Sequence, residues 1–133
     1  MRISARVHNA GPRHDVELRT GGQATTLAVA AKAAGGGSAV NGGEFLMLAL
    51  ATCYCNDLYR EAARLGLVLD AVEVEAHASF DGVGLAATDI RYRATVTSRT
   101  ATPAQIDDLV RQTDAVAEVH NTLRAGVPVT LSS

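Results

Sequence analysis

The chain has 133 residues, a formal net charge of −2, 47% hydrophobic residues and 4% aromatic residues. That length predicts one domain, residues 1–133, with a core large enough to fold without cross-links. The small negative charge offers nothing to nucleic acid or an anionic membrane surface, and so few aromatics give no platform for stacking bases.

Residues 2–8 alternate, with Ile3, Ala5 and Val7 on one face and Arg2, Ser4, Arg6 and His8 on the other. Period two predicts an amphipathic strand. Asn9, Ala10, Gly11 and Pro12 make a turn cluster. Alternation resumes over 14–20, where Val16 and Leu18 oppose Asp15, Glu17 and Arg19, and Gly21-Gly22 signals a hairpin turn. A third strand is predicted over 24–29, completing an antiparallel meander. Residues 30–43, AAKAAGGGSAVNGG, form a glycine-rich loop suited to positive φ angles. It lacks the G-x-x-x-x-G-K spacing of a phosphate-binding loop.

Residues 44–65, EFLMLALATCYCNDLYREAARL, predict the helix around which the chain is organised. They are rich in strong helix formers and contain no Gly or Pro. Asn41, Gly42 and Gly43 precede them and Gly66 follows, which are cap and stop signals. At about 1.5 Å per residue the helix spans roughly 33 Å. Its first half is apolar around almost the whole circumference and is expected to be buried on every side. In its second half Asp57, Arg60, Glu61 and Arg64 read as a charged face. The apolar run is too short to cross a membrane. Both cysteines, Cys53 and Cys55, lie in this helix. Their spacing sets them about 200° apart around the axis, so they do not pair with each other. Free thiols, and a first segment without an apolar signal-like stretch, predict a cytoplasmic protein.

Over 67–81, Val72, Val74, Ala76, Ala78 and Phe80 alternate with Glu73, Glu75, His77 and Ser79. Over 90–97, Ile90, Tyr92, Ala94 and Val96 alternate with Arg91, Arg93, Thr95 and Thr97. The two runs predict a hairpin whose outer face brings Glu73 and Glu75 near Arg91 and Arg93. Thr102-Pro103 opens a helix carrying Ile106, Leu109, Val110 and Thr113 at helical spacing. A short helix over 115–124 ends at Gly126, and 127–131 is predicted as a closing strand that Pro128 places at a sheet edge. The class is α+β: a meander, a long buried central helix, a hairpin, C-terminal helices and an edge strand.

With that order of elements, the segment NGGEFLMLALATC at 41–53, with Glu44 nine residues before Cys53, resembles the OsmC/Ohr family of osmotically inducible and organic-hydroperoxide-resistance proteins. Asn121-Thr122-Leu123 and Val127-Pro128-Val129 are similar to its C-terminal signature. The resemblance covers nearly the whole chain. It implies an intertwined homodimer with central helices crossing at its heart and active sites at the interface. It also implies catalysis by Cys53 as peroxidatic nucleophile, assisted by Glu44 and by an arginine, Arg19 or Arg13, without a cofactor or metal. Its partners are a small organic hydroperoxide and a thiol reductant. The chain departs from the pattern in four places. Ala117 stands where the family's resolving Cys belongs, and Glu118 replaces the following Pro. Gly42 replaces the Pro before the central helix. Gly43 stands where the hydroperoxide-resistance branch has its Glu, so Glu44 matches the OsmC-like branch.

Taken without the resemblance, each of these residues has a plainer role. Cys53 is a small hydrophobe in an apolar helix, far from the helix N-terminus. Glu44 lies half a turn out of phase with Cys53, so it either satisfies backbone N–H groups at the helix start or acts across a dimer. Cys55 is core or a thiol facing a partner helix. His120 approaches the pocket or is an exposed helix residue. Cys53, Cys55 and His120 make a poor tetrahedral zinc set, because C-x-C on a helix diverges. Two functions therefore stand: a thiol-dependent peroxidase acting on organic hydroperoxides through Cys53, and a non-catalytic module holding a hydrophobic ligand at a dimer interface. An arginine within hydrogen-bond reach of the Cys53 sulfur favours the first, and a purely apolar surround the second.

Overall fold

The computed structural model describes residues 1–132, which fold as two compact units divided between Phe45 and Leu46. In the N-terminal unit, β1 (Ile3–Ala10), β2 (Arg13–Thr20) and β3 (Gln23–Thr26) form an antiparallel sheet in the order β1-β2-β3. The register sets Ala5 opposite Leu18 and Val7 opposite Val16, so the apolar positions read from the alternation share a face. No residue of the three strands is buried, and Ile3 and Val7 are 66% and 60% exposed. β3 is shorter than the predicted 24–29: after Thr26 one further bond, from Leu27 N–H to the Val16 carbonyl at 3.2 Å, closes the pairing.

The glycine-rich segment folds back on itself, tied by Lys32 N–H to Gly37 O and Ala39 N–H to Ala30 O, both 2.9 Å. Gly35, Gly36 and Gly37 at its tip have φ of 89°, 75° and 90°, a region in which a Cβ is strained. The Asn9 side chain clamps this tip, accepting from Gly37 N–H at 3.1 Å and donating to its carbonyl at 3.3 Å. Helix α1 (Gly42–Arg64) then begins. Asn41 Oδ1 accepts from Glu44 N–H at 2.8 Å, and Glu44 Oε1 accepts from Asn41 N–H at 3.1 Å, a reciprocal capping box.

The C-terminal unit is built on the rest of α1 with β4 (Ala71–Ser79), β5 (Thr88–Thr97), α2 (Pro103–Val116) and α3 (Glu118–Arg124). Tyr54, Leu58 and Ala62 of α1 join Leu109 of α2 and Ala117 in one buried cluster, with Val72, Val74, Ala94 and Val96 of the hairpin packed against it. The i, i+4 spacing of Tyr54, Leu58 and Ala62 is one stripe of a helix. Within the single chain the apolar half of α1 is covered on one side: Leu50 is 2% exposed, while Leu48, about 200° away around the axis, is 54% exposed. One expectation for α1 is corrected here: its charged half is not an open face, because Asp57 and Glu61 border the buried stripe and are 5% and 7% exposed. Arg60 and Arg64 compensate them, with Arg60 Nη1 at 3.1 Å from Asp57 and Arg64 Nη1 at 2.7 Å from Glu61.

The β4–β5 register pairs Val72 with Val96, Val74 with Ala94 and Ala76 with Tyr92. Glu75 faces Arg93 and binds it at 3.3 Å, as the alternation predicts. Glu73 faces Thr95 and Arg91 faces His77, so the second predicted charge pair does not form, and Arg91 binds Asp89 instead. Thr102 caps α2, with its hydroxyl accepting from Gln105 N–H at 3.2 Å and the Gln105 side chain accepting from Thr102 N–H at 2.8 Å. The predicted helix over 115–124 starts later, since Ala115 and Val116 complete α2 and Ala117 leaves helical ψ at 110°. The predicted strand 127–131 is also corrected: among the described residues it has no ladder partner, and Val129 and Leu131 are 100% and 97% exposed. Alternation alone makes no strand without an edge to pair with, and Pro128 carries no N–H to donate. No described helix is long and apolar enough to cross a membrane.

Candidate functional site

Cys53, Asp57 and Arg60 stand at i, i+4 and i+7 on α1 and so share one helix face. Glu118, the first residue of α3, meets that face. The Cys53 Sγ lies 3.5 Å from Asp57 Oδ2 and 3.9 Å from Glu118 Oε2, each geometry placing the thiol as donor. Arg60 Nη1 bridges the two carboxylates, at 3.1 Å from Asp57 Oδ1 and 3.0 Å from Glu118 Oε1, and Arg60 Nε reaches Glu61 at 3.2 Å. The result is a half-buried thiol on a carboxylate pair that one guanidinium holds together.

The electrostatics keep this thiol neutral at rest. Burial pushes Cys53 above its usual 9.0; the Asp57 and Glu118 charges push the same way, while a hydrogen bond from the Val119 backbone N–H opposes them. Burial, then the neighbouring Glu118 carboxyl, raises Asp57 above the ordinary carboxylate range. Glu118 is held below it by its own backbone N–H, by Asp57 and by Arg60. The donor atoms of Cys53, Asp57 and Glu118 lie within 4.8 Å of one another, close enough to share a cation, but Arg60 already occupies the side between the carboxylates. Among the described residues of the C-terminal unit, no arginine touches the sulfur; Arg60 reaches it only through Asp57 and Glu118. The surround is therefore neither of the two anticipated from sequence. It is acidic, with a cation one step removed.

The other residues singled out in the sequence have their own partners. Glu44 caps α1. Arg19 binds Glu17 at 2.8 Å and Arg13 binds Asp15 at 3.0 Å, both along β2. Cys55 is a half-buried free thiol. Ala117 is fully buried. His120 is not an exposed helix residue: it is 3% exposed, between the rings of Tyr92 and Tyr54 at centroid distances of 4.4 Å and 5.7 Å. Asp57, Arg60 and Glu118 were not recognised as neighbours of Cys53. For Asp57 and Arg60 the sequence signal was the i, i+4, i+7 spacing on α1, which fits a solvated face equally well; Glu118, on α3, stood out only as the replacement for a family Pro.

The family described as OsmC-like protein matches residues 35–132. The chain belongs to this family. Its fold is similar to the organic hydroperoxide resistance protein OsmC of Legionella pneumophila, at 21% identity and a TM-score of 0.61 over 99% of this chain and 96% of that one. An OsmC-like protein of Mycoplasma pneumoniae aligns at 16% identity and a TM-score of 0.63, over 93% of this chain and 89% of the other. An OsmC-like protein of unknown function from Vibrio cholerae aligns at 14% identity and a TM-score of 0.60, over 92% and 93%. No curated protein matches the chain. Cys53 and Ala117 both lie within the matched residues 35–132.

Proposed function

We propose that this OsmC-like chain is a single-domain, cytoplasmic, homodimeric thiol peroxidase that reduces small organic hydroperoxides through Cys53, using an external thiol as reductant. The observation that carries the reading is the Cys53 thiol 3.5 Å from the buried Asp57 carboxylate, a nucleophile beside a proton acceptor. Asp57 takes the thiol proton as sulfur attacks the terminal peroxide oxygen. The S–O bond forms, the O–O bond breaks, and the departing alkoxide takes a proton back from Asp57 and leaves as an alcohol. Cys53 is then a sulfenic acid. With Ala117 at the resolving position, a reductant thiol attacks that sulfenic acid and releases water; a second thiol cleaves the mixed disulfide and restores Cys53.

Arg60 is the positioning residue that holds Asp57 beside Glu118 and offsets part of the upward push on the Asp57 carboxyl. Arg19 and Glu44 enter as groups that act on Cys53 across the dimer. The second copy finds support in the exposed apolar face of β1, with Ile3 and Val7, and in the exposed Leu48. The test is to treat reduced protein with cumene hydroperoxide and a sulfenic-acid trap and read the intact mass. One rapid adduct, absent in Cys53→Ser, is expected. No adduct, or an equally slow one at Cys55, overturns the peroxidase. The raised thiol then favours the second reading, an OsmC-like binding module without catalysis.

A further inference from the structure

The two carboxyl groups beside Cys53 differ in what they show to solvent. Asp57 Oδ2 lies 3.5 Å from the sulfur, but the Asp57 side chain is 8% exposed. Glu118 Oε2 lies 3.9 Å from it, and that side chain is 65% exposed. Glu118 is held below the ordinary carboxylate range, first by its own backbone N–H and then by Asp57 and Arg60, so it is ionised at physiological pH. It is the charge that a molecule reaching the half-buried sulfur from solvent meets.

That charge is only partly cancelled. Arg60 is shared among Asp57, Glu61 and Glu118 at 3.1, 3.2 and 3.0 Å, and Arg64 binds Glu61, so two guanidiniums serve three carboxyl groups. Arg60 occupies Glu118 Oε1, while among the described residues Oε2 has only the Cys53 thiol as donor. Once the sulfur enters a mixed disulfide that donor is gone, and Oε2 is open to another cation. Arg19 and Glu44, proposed to act across a dimer, carry opposite charges and leave the balance as it is.

The chain has two cysteines, and Cys55 diverges from Cys53 by about 200° around α1, so the thiols that reduce an oxidised Cys53 come from outside. A reductant thiolate attacks the Cys53 sulfenic acid at sulfur; the S–S bond forms, the S–O bond breaks, and hydroxide leaves as water with the reductant's proton. A second thiol attacks the mixed disulfide at the reductant sulfur. Cys53 returns to the thiol, and two reductant thiols have been oxidised to one disulfide. In the mixed disulfide the reductant sulfur stands about 2.05 Å from Cys53 Sγ. An ammonium two carbons beyond it reaches Glu118 Oε2, and a carboxylate in the same place is repelled. Resting on the peroxidase reading of Cys53, we propose that Glu118 selects the reductant: a small thiol with an amino group beside its sulfur, in preference to thiols that carry a carboxylate there.

The test uses the reduced full chain with Cys55→Ser, in which Cys53 is the only thiol, and reads intact mass. The 2-aminoethyl, methyl and 2-sulfonatoethyl methanethiosulfonates report charge selection without any peroxide, and the first forms the same mixed disulfide as an aminothiol. The aminoethyl-to-sulfonatoethyl rate ratio should exceed that of the same pair on 2-mercaptoethanol by about tenfold or more. Glu118→Gln should bring the ratio down to the 2-mercaptoethanol value, and Glu118→Lys should reverse it. A change in the Cys53 thiolate fraction scales all three rates alike and cancels in the ratio. In a second arm Cys53 is oxidised with cumene hydroperoxide and reduced at matched thiolate concentration. Cysteamine should act about tenfold faster than 3-mercaptopropionate, an advantage that Glu118→Gln removes. A reagent ratio unchanged in Glu118→Gln, or equal reduction by the two thiols, overturns the proposal and leaves the peroxidase standing. If no oxidised Cys53 forms, the peroxidase reading falls and its reductant with it, whatever the reagent ratio.

Discussion

At Cys53 the proton is the decisive quantity. The thiol is held above 9.0 by burial and by two carboxylates, so its alkylation by iodoacetamide should still be rising with pH at pH 9. Asp57→Asn removes one of those charges and should shift the alkylation midpoint to lower pH. The same substitution removes the proton acceptor and should slow the hydroperoxide reaction about 10²-fold or more. A purely structural Asp57 would let both rates move together; opposite movement marks the base. His120 makes a second test at this scale. Its folded-state pKa is depressed, so neutral His120 contributes stability that is complete above 6.5 and is lost as pH falls through the folded value. The melting temperature should therefore drop between pH 7 and pH 5, and His120→Phe should flatten that part of the curve.

Among the elements, α1 and α2 carry the local signals most plainly. Asn41 with Glu44, and Thr102 with Gln105, each satisfy two backbone N–H groups that a helix start leaves open. Thr102→Ala should cost about 1 kcal/mol in urea unfolding. Leu109 is fully buried in the cluster that joins α2 to Tyr54, Leu58 and Ala62, and Leu109→Ala should cost about 2–5 kcal/mol. The difference between the two is the difference between a surface bond and a cavity. Both helices were legible because cap and periodicity act between neighbours in the chain. The start of α3 was not, since nothing local in Ala115, Val116 and Ala117 marks where α2 stops.

For the whole molecule, the proposed homodimer is argued from the surfaces the single chain leaves uncovered. A three-stranded sheet needs an apolar face packed on something, yet every residue of β1 is exposed. Leu48 leaves another apolar position open on α1. The proposed homodimer should appear as about twice the 13.8 kDa chain mass in light scattering, and Leu48→Glu should shift it toward monomer. A chain that stays monomeric at micromolar concentration would remove the dimer, and with it the roles of Arg19 and Glu44 across the interface.

The sequence by itself determined the strands of the meander and hairpin, the long helix and its caps, and the OsmC-like order of elements. Each rests on periodicity or turn chemistry that acts over a few residues. Only the tertiary structure decided that Asp57 and Glu61 are buried, that Glu118 meets a cysteine 65 residues earlier, and that His120 packs between two tyrosines. It also decided that 127–131 pairs with no described strand. The physical reason is common to all four. Periodicity states which side of an element is apolar, while burial, proton position and strand pairing depend on which distant element arrives at that side.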